Sequence, residues 1–487
     1  MNLNHLAKHT LIYGFADFLG KGFAIIILPF LAAALSPNEF GILELILTVT
    51  GLMAVIMNCG LNNATQRFYF DGGAENIANA REVVSSGAAA IFFTGLFALI
   101  LGLILVYLAS LSLDFNLMPF SMIALISAIL LMISNQWLTF IIDVTRLHFA
   151  PLKFLILTSV SRVFALAAGT FALVTLGWGI EGYLSMQALI VIFIIPFALF
   201  LIRKDLSLAQ SRKSISRLIK FGFPYIFMGM GYWLFGSMDR WMLAGLVSVD
   251  EAGIYAVAFK LSSVILFASA AFGQAWSPFA FKLKQDSPEE YRETFSNILY
   301  CLFCIMIVIG GFVSFFSGEI VSSLFPIEYH DSAYLLSILT IGIIFQSTIH
   351  VTSIGISLEK KTSVFAKVAW ITAIINLVLN FILIPYFGGV GAAISTSISY
   401  FVLTGIYFFY SQKLHKLPIN FNILLILIFI SFTMLLISLM FYSADFNLQI
   451  ISFKFILYFL LIFFSVGILA LEGVFKNLKS SLAKETT

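Results

Sequence analysis

Apolar residues run along this chain in long stretches, separated by short turns rich in polar residues, Gly or Pro. A helix needs ~20 mostly apolar residues to cross ~30 Å of hydrocarbon. Fourteen segments meet that requirement: 10–35, 40–63, 84–110, 117–142, 152–176, 180–202, 217–247, 252–280, 294–316, 332–357, 364–386, 390–411, 419–442 and 452–473. They do not alternate apolar with polar residues, which excludes a β-barrel. The pattern predicts an all-α integral membrane protein of about 14 transmembrane helices. Pro29, Pro196, Pro224 and Pro278 lie in or near the ends of spans, where each removes a backbone hydrogen bond. Pro29 and Pro224 are the expected hinge positions. Asp17 and Lys21 interrupt the first apolar stretch, which is too long for a signal peptide, so it is read as the first transmembrane helix.

Composition narrows the class further. Hydrophobic residues make up 61% of the 487 and charged residues 10%. A soluble domain has ~45–50% apolar and ~25% charged residues, and its surface cannot hide this much oil. A cytosolic enzyme, a disulfide scaffold and a disordered chain are excluded. There is no large soluble basic face, so no nucleic-acid partner is expected. Cys59, Cys301 and Cys304 all stand in apolar runs. The C-x-x-C of Cys301 and Cys304 is flanked by Tyr300, Leu302 and Phe303 and reads as membrane helix, not as a zinc or redox motif. No metal or organic cofactor is implied.

The net charge of +3 says less than where the charges lie. The even-numbered connections and both ends carry 22 of the 27 Lys and Arg residues. The odd-numbered connections carry none of them, but hold Glu39, Asp114, Asp250, Glu251, Glu319, Glu328 and Asp445. The positive-inside rule then places both termini in the cytoplasm. The longest outer connection, 317–331, is too short for an extracytoplasmic domain. The most basic inner connection, 203–216, carries Arg203, Lys204, Arg212 and Lys213, with Arg217 and Lys220 just beyond. It reads as a linker between two halves, lying against anionic lipid.

Two echoes suggest an internal repeat. Ser36-Pro37-Asn38-Glu39-Phe40-Gly41-Ile42 resembles Ser248-Val249-Asp250-Glu251-Ala252-Gly253-Ile254, 212 positions later. Gly179-Ile180-Glu181-Gly182 resembles Gly388-Gly389-Val390-Gly391, 209 positions later. Six spans separate the copies, so both point the same way, a parallel repeat. The expected domains are a six-helix bundle over 1–210, a second over 211–411, and spans 13 and 14 with a cytoplasmic tail over 412–487. Two such bundles around a central cleft are the body plan of an alternating-access transporter.

Charges at bilayer depth cost ~2.5–3.5 kcal/mol each on insertion scales, so each needs a reason. Asp17 and Lys21 are four apart on span 1 and can neutralise one another. Arg162 lies mid-span with no local acid, Glu44 in span 2, and Lys260 in span 8. Lys454 stands at the edge of span 14. Asp239 and Arg240 are adjacent in span 7; diverging by ~100°, they are not expected to pair with each other. Cations left after pairing would line a wet cleft suited to an anion, Arg especially to phosphate. The alternative is that these charges only form ion pairs locking the bundles together. His350 reads as a packing residue. Asn376 and Asn380 share one face of span 11; Gln346, Ser347, Thr348 and Thr352 mark span 10, and Gln274 span 8. Tyr225, Tyr232, Trp233 and Trp241 crowd span 7. Aromatics with amides suit a sugar, and equally an interfacial belt. Spans 13 and 14 read as an appendage almost without internal polarity.

Several motifs carry a family resemblance. They are Leu35 to Ile42; Gly222-Phe223-Pro224 followed by Ser237-Met238-Asp239-Arg240; Gly253-Ile254-Tyr255-Ala256-Val257-Ala258-Phe259-Lys260; Ala275-Trp276-Ser277-Pro278-Phe279; and Asn376-Leu377-Val378-Leu379-Asn380 running to Ile384-Pro385-Tyr386-Phe387-Gly388 and Gly391-Ala392-Ala393. Over about residues 8–411 the chain resembles the Wzx-type polysaccharide flippases of the multidrug/oligosaccharidyl-lipid/polysaccharide exporter superfamily. The resemblance implies an oligosaccharide on a polyprenyl diphosphate, moved from the inner to the outer leaflet of the bacterial cytoplasmic membrane. It implies coupling to H+ or Na+, a charged core of Asp239, Arg240 and Lys260, and work beside other polysaccharide assembly proteins.

The candidate substrate-binding residues are therefore Arg240, Lys260, Arg162, Lys21, Asp239, Asp17, Asn376 and Asn380. Two other readings stay open. A cation-coupled drug or ion antiporter would share the fold. A membrane polysaccharide polymerase would need catalytic acids on a larger outer loop, and the longest outer connection brings together only Glu328 and Asp331.

Overall fold

The computed structural model describes residues 3–70, 77–112, 121–148, 150–207, 211–286, 291–361, 363–441 and 448–474, without the side chains of 3–17, 77–78, 105–106, 108–112, 277–278 and 286. Asp114, Asp445, Lys476, Lys479 and Lys484 lie outside these residues, as does the side chain of Asp17. The described residues contain helices and turns and no strand. The chain divides into two compact units, Met1–Ser237 and Met238–Thr487.

The first unit contains α1 (Leu3–Ala34), α2 (Pro37–Asn58), α3 (Leu61–Tyr69), α4 (Ile77–Ser112), α5 (Met122–Leu147), α6 (Pro151–Val174), α7 (Gly179–Leu201), α8 (Arg212–Gly222) and the start of α9 (Pro224–Leu246). The second unit takes the end of α9, then α10 (Val249–Ser262), α11 (Ile265–Asp286), α12 (Tyr291–Phe315), α13 (Ser317–Leu324), α14 (Ser332–Ser347), α15 (Ile349–Thr352), α16 (Ile354–Leu358), α17 (Ser363–Leu414), α18 (Phe421–Met440) and α19 (Leu448–Leu471). Helices fall on every one of the fourteen expected segments. Among the described residues ten helical stretches are long and apolar enough to cross a membrane, or eleven with α10 and α11 taken as one bent span.

Several predicted spans are broken, each for a local chemical reason. Segment 217–247 is two helices. Pro224 has no N–H with which to continue α8, and instead opens α9 as its first residue. Segment 40–63 ends early: Cys59 and Gly60 both take positive φ, and α3 restarts with Asn62, Gln66 and Arg67 on it. Segment 252–280 bends by 41° between α10 and α11. There Ser262 and Ser263 donate their hydroxyls back to the carbonyls of Phe259 and Lys260, at 2.9 and 2.6 Å, competing with the helix ladder. At 52 residues α17 would be ~78 Å long if straight, far beyond a bilayer. It breaks at Gly388, φ 53° and ψ −133°, a conformation that an L side chain would resist.

In the first unit α5, α6 and α7 pack on one another, α1 packs on α6, and α2 on α5. In the second, α14 is the central post, touching α10, α12 and α17. Its Thr340 hydroxyl donates to Leu336 O within the helix at 2.8 Å, and Ser337 reaches across to Ser314 O of α12 at 3.1 Å. The first repeat echo caps helices in both units. Ser36 Oγ accepts from Glu39 N at the start of α2, and Ser248 Oγ from Glu251 N at the start of α10. The second echo supplies a positive-φ glycine in both units, Gly179 and Gly388.

Candidate functional site

The second unit holds a buried charged core. Asp239 and Arg240 on α9 are 1% and 4% exposed. Contrary to the expectation from helical spacing, they pair: Arg240 Nη1 lies 3.4 Å from Asp239 Oδ1, which also accepts the Arg240 backbone N–H at 2.8 Å. The long guanidinium arm folds back far enough to overcome the ~100° divergence. It also lies over the Phe259 ring, 4.7 Å from the centroid. Tyr255 on α10 donates to Asp239 Oδ2 at 2.6 Å, and its hydroxyl also meets Thr396 Oγ1 on α17 at 3.1 Å. One carboxylate thus gathers α9, α10 and the second half of α17. Lys260, in the last turn of α10, is half-buried.

Asn376 and Asn380 are also brought together and almost wholly buried, with Asn380 Nδ2 donating to Asn376 Oδ1 at 3.1 Å. Asn376 Nδ2, Asn380 Oδ1 and the hydroxyl of Thr372, one turn earlier, have no hydrogen-bond partner among the described residues. Such buried polar atoms are costly, and each calls for an explanation. Among the described residues no group of three His, Cys, Asp or Glu side chains is placed to hold a metal ion.

In the first unit the predicted cations stand on two helices that pack together, Lys21 on α1 and Arg162 on α6. Arg162 lies across Gly20, the neighbour of Lys21 in sequence, so close that a Cβ there would stand 2.7 Å from the Arg162 Cδ. Both cations are exposed, while Glu44 on α2 is buried. A second polar seam ties α2 and α3 to α5: Asn58 donates to Gln136 at 3.2 Å and Asn62 to Asp143 at 2.7 Å. Of the hinge candidates, Pro29 is half-buried inside α1 and Pro224 is the first residue of α9. His350 behaves as a packing residue, its ring against Gly273 and its carbonyl accepting from Trp276 Nε1 at 2.9 Å.

The last two helices are less inert than their sequence suggests. Lys454 on α19 is 1% exposed and donates to both Glu319 oxygens on α13, at 2.7 and 2.9 Å. The expectation of an appendage without polarity is corrected here. In sequence Lys454 reads as an edge charge and Glu319 as a loop acid, and nothing local joins residues 135 positions apart. Between α18 and α19 lies an apolar cavity of about 390 Å³, lined by Phe315, Phe429, Met434, Leu457, Leu461 and Phe464 among others. Tyr255 and Thr396 are site residues that sequence reasoning misses. A Tyr in an alanine-rich buried stretch and a Thr three residues past Ala393 carry no signal beyond spacing; only three-dimensional proximity to Asp239 reveals them.

The sequence matches the polysaccharide biosynthesis protein family over residues 6–284 and the MatE family over 224–382. It is 24% identical over 434 residues, 86% of each chain, to a probable low-salt glycan biosynthesis flippase, Agl15, of Haloferax volcanii. It is 30% identical to the capsular polysaccharide biosynthesis protein CapF of Staphylococcus aureus, over 36% of this chain and 45% of that one. Among solved structures, the lipid II flippase MurJ in an inward closed conformation aligns with a TM-score of 0.75 at 14% identity, covering 95% of this chain and 99% of that one. A multidrug resistance MATE family transporter in an inward-facing conformation aligns at 0.65, also at 14% identity, covering 83% and 94%. The fold is therefore of the MurJ and MATE kind, and the chain belongs to the polysaccharide biosynthesis protein family, multi-pass membrane proteins that transport rather than catalyse.

Proposed function

We propose that the protein is a flippase carrying a polyprenyl-diphosphate-linked oligosaccharide from the inner to the outer leaflet of the bacterial cytoplasmic membrane, by alternating access, for surface polysaccharide such as O-antigen or capsule. One observation supports the reading at the site: Arg162 of α6 packs against Gly20 of α1, next in sequence to Lys21, and both cations are exposed on helices that are mostly apolar. Two cations on adjoining helices in such a setting suit a diphosphate. In the second unit Lys260 is the further candidate cation. The cavity between α18 and α19 has the apolar lining that a polyprenyl chain needs.

Arg240 has a different place in this scheme. Held by Asp239, it meets the substrate only when a cation takes its place on the carboxylate. H+ or Na+ binding at Asp239, with Tyr255 and Thr396 at hand, would free the guanidinium. Pro29 and Pro224 are the bend points. The match to the MatE family over 224–382 includes Asp239 and favours, as a second reading, a cation-coupled antiporter.

The test is purified protein in vesicles, given a labelled polyprenyl-diphosphate oligosaccharide or a cationic dye. Flipping of the lipid, reduced at least tenfold by Lys21→Ala with Arg162→Ala at equal protein levels, is the expected result. Movement of the dye alone would favour the antiporter, and full activity of the double variant would remove these cations from the site.

A further inference from the structure

The surface around α8 has no part in the transport site described above. Its sequence, Arg212-Lys213-Ser214-Ile215-Ser216-Arg217-Leu218-Ile219-Lys220-Phe221-Gly222, holds four cations and no carboxylate. Lys213, Arg217 and Lys220 follow the i, i+4, i+7 spacing of one helical stripe, and all are exposed, as is Arg212. Leu218 and Gly222, on the other side, are buried where α8 packs on α3 and α4. Ser214, off the stripe, donates to Glu82 of α4 at 2.5 Å.

The basic surface continues onto α3. Arg217 lies over the Phe68 ring at 3.9 Å, Arg67 is 6.0 Å from the same centroid, and Phe221 meets that ring edge-on at 5.2 Å. Phe70, Phe223 and Phe227, flanking this surface in sequence, are 48%, 52% and 53% exposed. A cationic stripe beside exposed phenylalanines is the make-up of a helix lying in a membrane interface. The helix also stands between α7 and α9, on the side that the positive-inside rule assigns to the cytoplasm.

We propose that α8, with the adjoining face of α3, is a docking surface for the anionic phospholipid headgroups of the inner leaflet. The corner after α8 is where docking has its effect. Gly222 touches the Cys59–Gly60 break so closely that a Cβ on Gly60 would stand 2.5 Å from Gly222 O. Lipid that fixes α8 therefore fixes the foot of α9 and the end of α2 together. Each basic residue near an anionic surface favours it by about fivefold at low salt, so the effect is salt-dependent.

Hydrogen exchange of the whole chain in nanodiscs tests this, comparing zwitterionic lipid alone with the same lipid plus phosphatidylglycerol. We expect backbone exchange over 211–222 to slow at least tenfold with phosphatidylglycerol at low salt, and to recover at high salt. Arg212→Gln/Lys213→Gln/Arg217→Gln/Lys220→Gln abolishes the difference while exchange in α12 stays unchanged. Should the quadruple variant not fold, Arg217→Gln alone is expected to lose part of the slowing. Equal exchange of the unaltered protein in both lipid mixtures, or full slowing in the variants, overturns the proposal. So does an equal slowing by soluble polyglutamate in zwitterionic discs, which would assign the surface to an acidic polypeptide.

Discussion

Lys454 shows what a charge demands where hydrocarbon surrounds the protein. It persists at 1% exposure because both Glu319 oxygens accept from it. Removing one partner of a buried pair costs ~3–5 kcal/mol, while replacing both by apolar groups is often neutral. Lys454→Met is therefore expected to lower the thermal unfolding midpoint in detergent sharply, and Lys454→Met with Glu319→Met to regain most of the loss. A double variant no better than the single one would show that the pair contributes more than charge balance. A second residue, His415, reports on pH. It hydrogen-bonds Tyr291 and lies 3.6 Å from Glu359, which Lys284 also meets at 3.3 Å; Arg292 donates to Tyr291 at 3.1 Å. Burial holds the imidazole pKa below its ordinary value, helped by Lys284 and Arg292 and opposed by Glu359. The fold thus prefers neutral His415, and that stability is complete above the unfolded value of ~6.5 and lost as pH falls. Glu359 is held below the ordinary carboxylate range by its hydrogen bond from Lys284 and that residue's charge, so its contribution fades only at lower pH. Between pH ~7.5 and ~5.5 the unfolding midpoint should fall, and His415→Gln should flatten that slope. An unchanged slope would place the titrating group elsewhere.

At the scale of elements, α2 and the first half of α9 run antiparallel in close contact. Gly60 meets Gly222, Val55 fills the notch at Gly229, and Trp233 lies at Gly51, its indole N–H donating to Thr48 O at 2.7 Å. Small residues let such helices approach where apolar lipid gives no driving force for association. A methyl at Gly222 would strike the backbone oxygen of Cys59, which cannot yield; a methyl at Gly229 would strike only the Val55 side chain. Gly222→Ala should therefore cost ~1–3 kcal/mol. Adding Val55→Ala should relieve Gly229→Ala but not Gly222→Ala, as thermal unfolding of the four variants would show. This seam also marks what the sequence could and could not say. The apolar segments were legible because burial in lipid writes itself as length and apolarity: helices fall on every one, and among the described residues ten or eleven helical stretches are long and apolar enough to span. The breaks at Cys59–Gly60 and Ser263–Val264 were not legible, since the apolar run continues through them, whereas Pro224 marked the joint before α9. Each unmarked break turns on a glycine or a serine pair, residue types that α4 carries at Gly95 and Ser85-Ser86 without a break. In the candidate site, the charges were legible because charge is conspicuous among apolar residues. Their partners were not: Asp239 finds Tyr255 sixteen residues on and Lys454 finds Glu319 far upstream, contacts that only the packed helices create.

For the molecule as a whole, the two repeat copies keep the same joints and differ in chemistry. Ser36 and Glu39 close a capping box on themselves, with Glu39 Oε2 accepting from Ser36 N at 2.9 Å. The matching Glu251 instead accepts from Gly389 N at 2.8 Å, so in the second unit the two echoed motifs grip each other. The charged groups diverge as well. Lys21 and Arg162 of the first unit are exposed, while Asp239 and Arg240 of the second are buried. In the proposed mechanism Lys21 and Arg162 are fixed cations that lower the barrier for an anion without themselves crossing the membrane, so the work done by the membrane potential belongs to the cargo. That work is ~2.3 kcal/mol per net charge per 100 mV, and an inside-negative potential drives an anion outward. In vesicles with an imposed potential, outward flipping of a diphosphate-linked sugar should rise with voltage, and that of a monophosphate analogue about half as steeply. Lys21→Gln with Arg162→Gln should lower both rates and leave both voltage slopes intact. A voltage-independent rate for the diphosphate would mean that cations travel with it and cancel its charge, and the fixed-cation mechanism would fail.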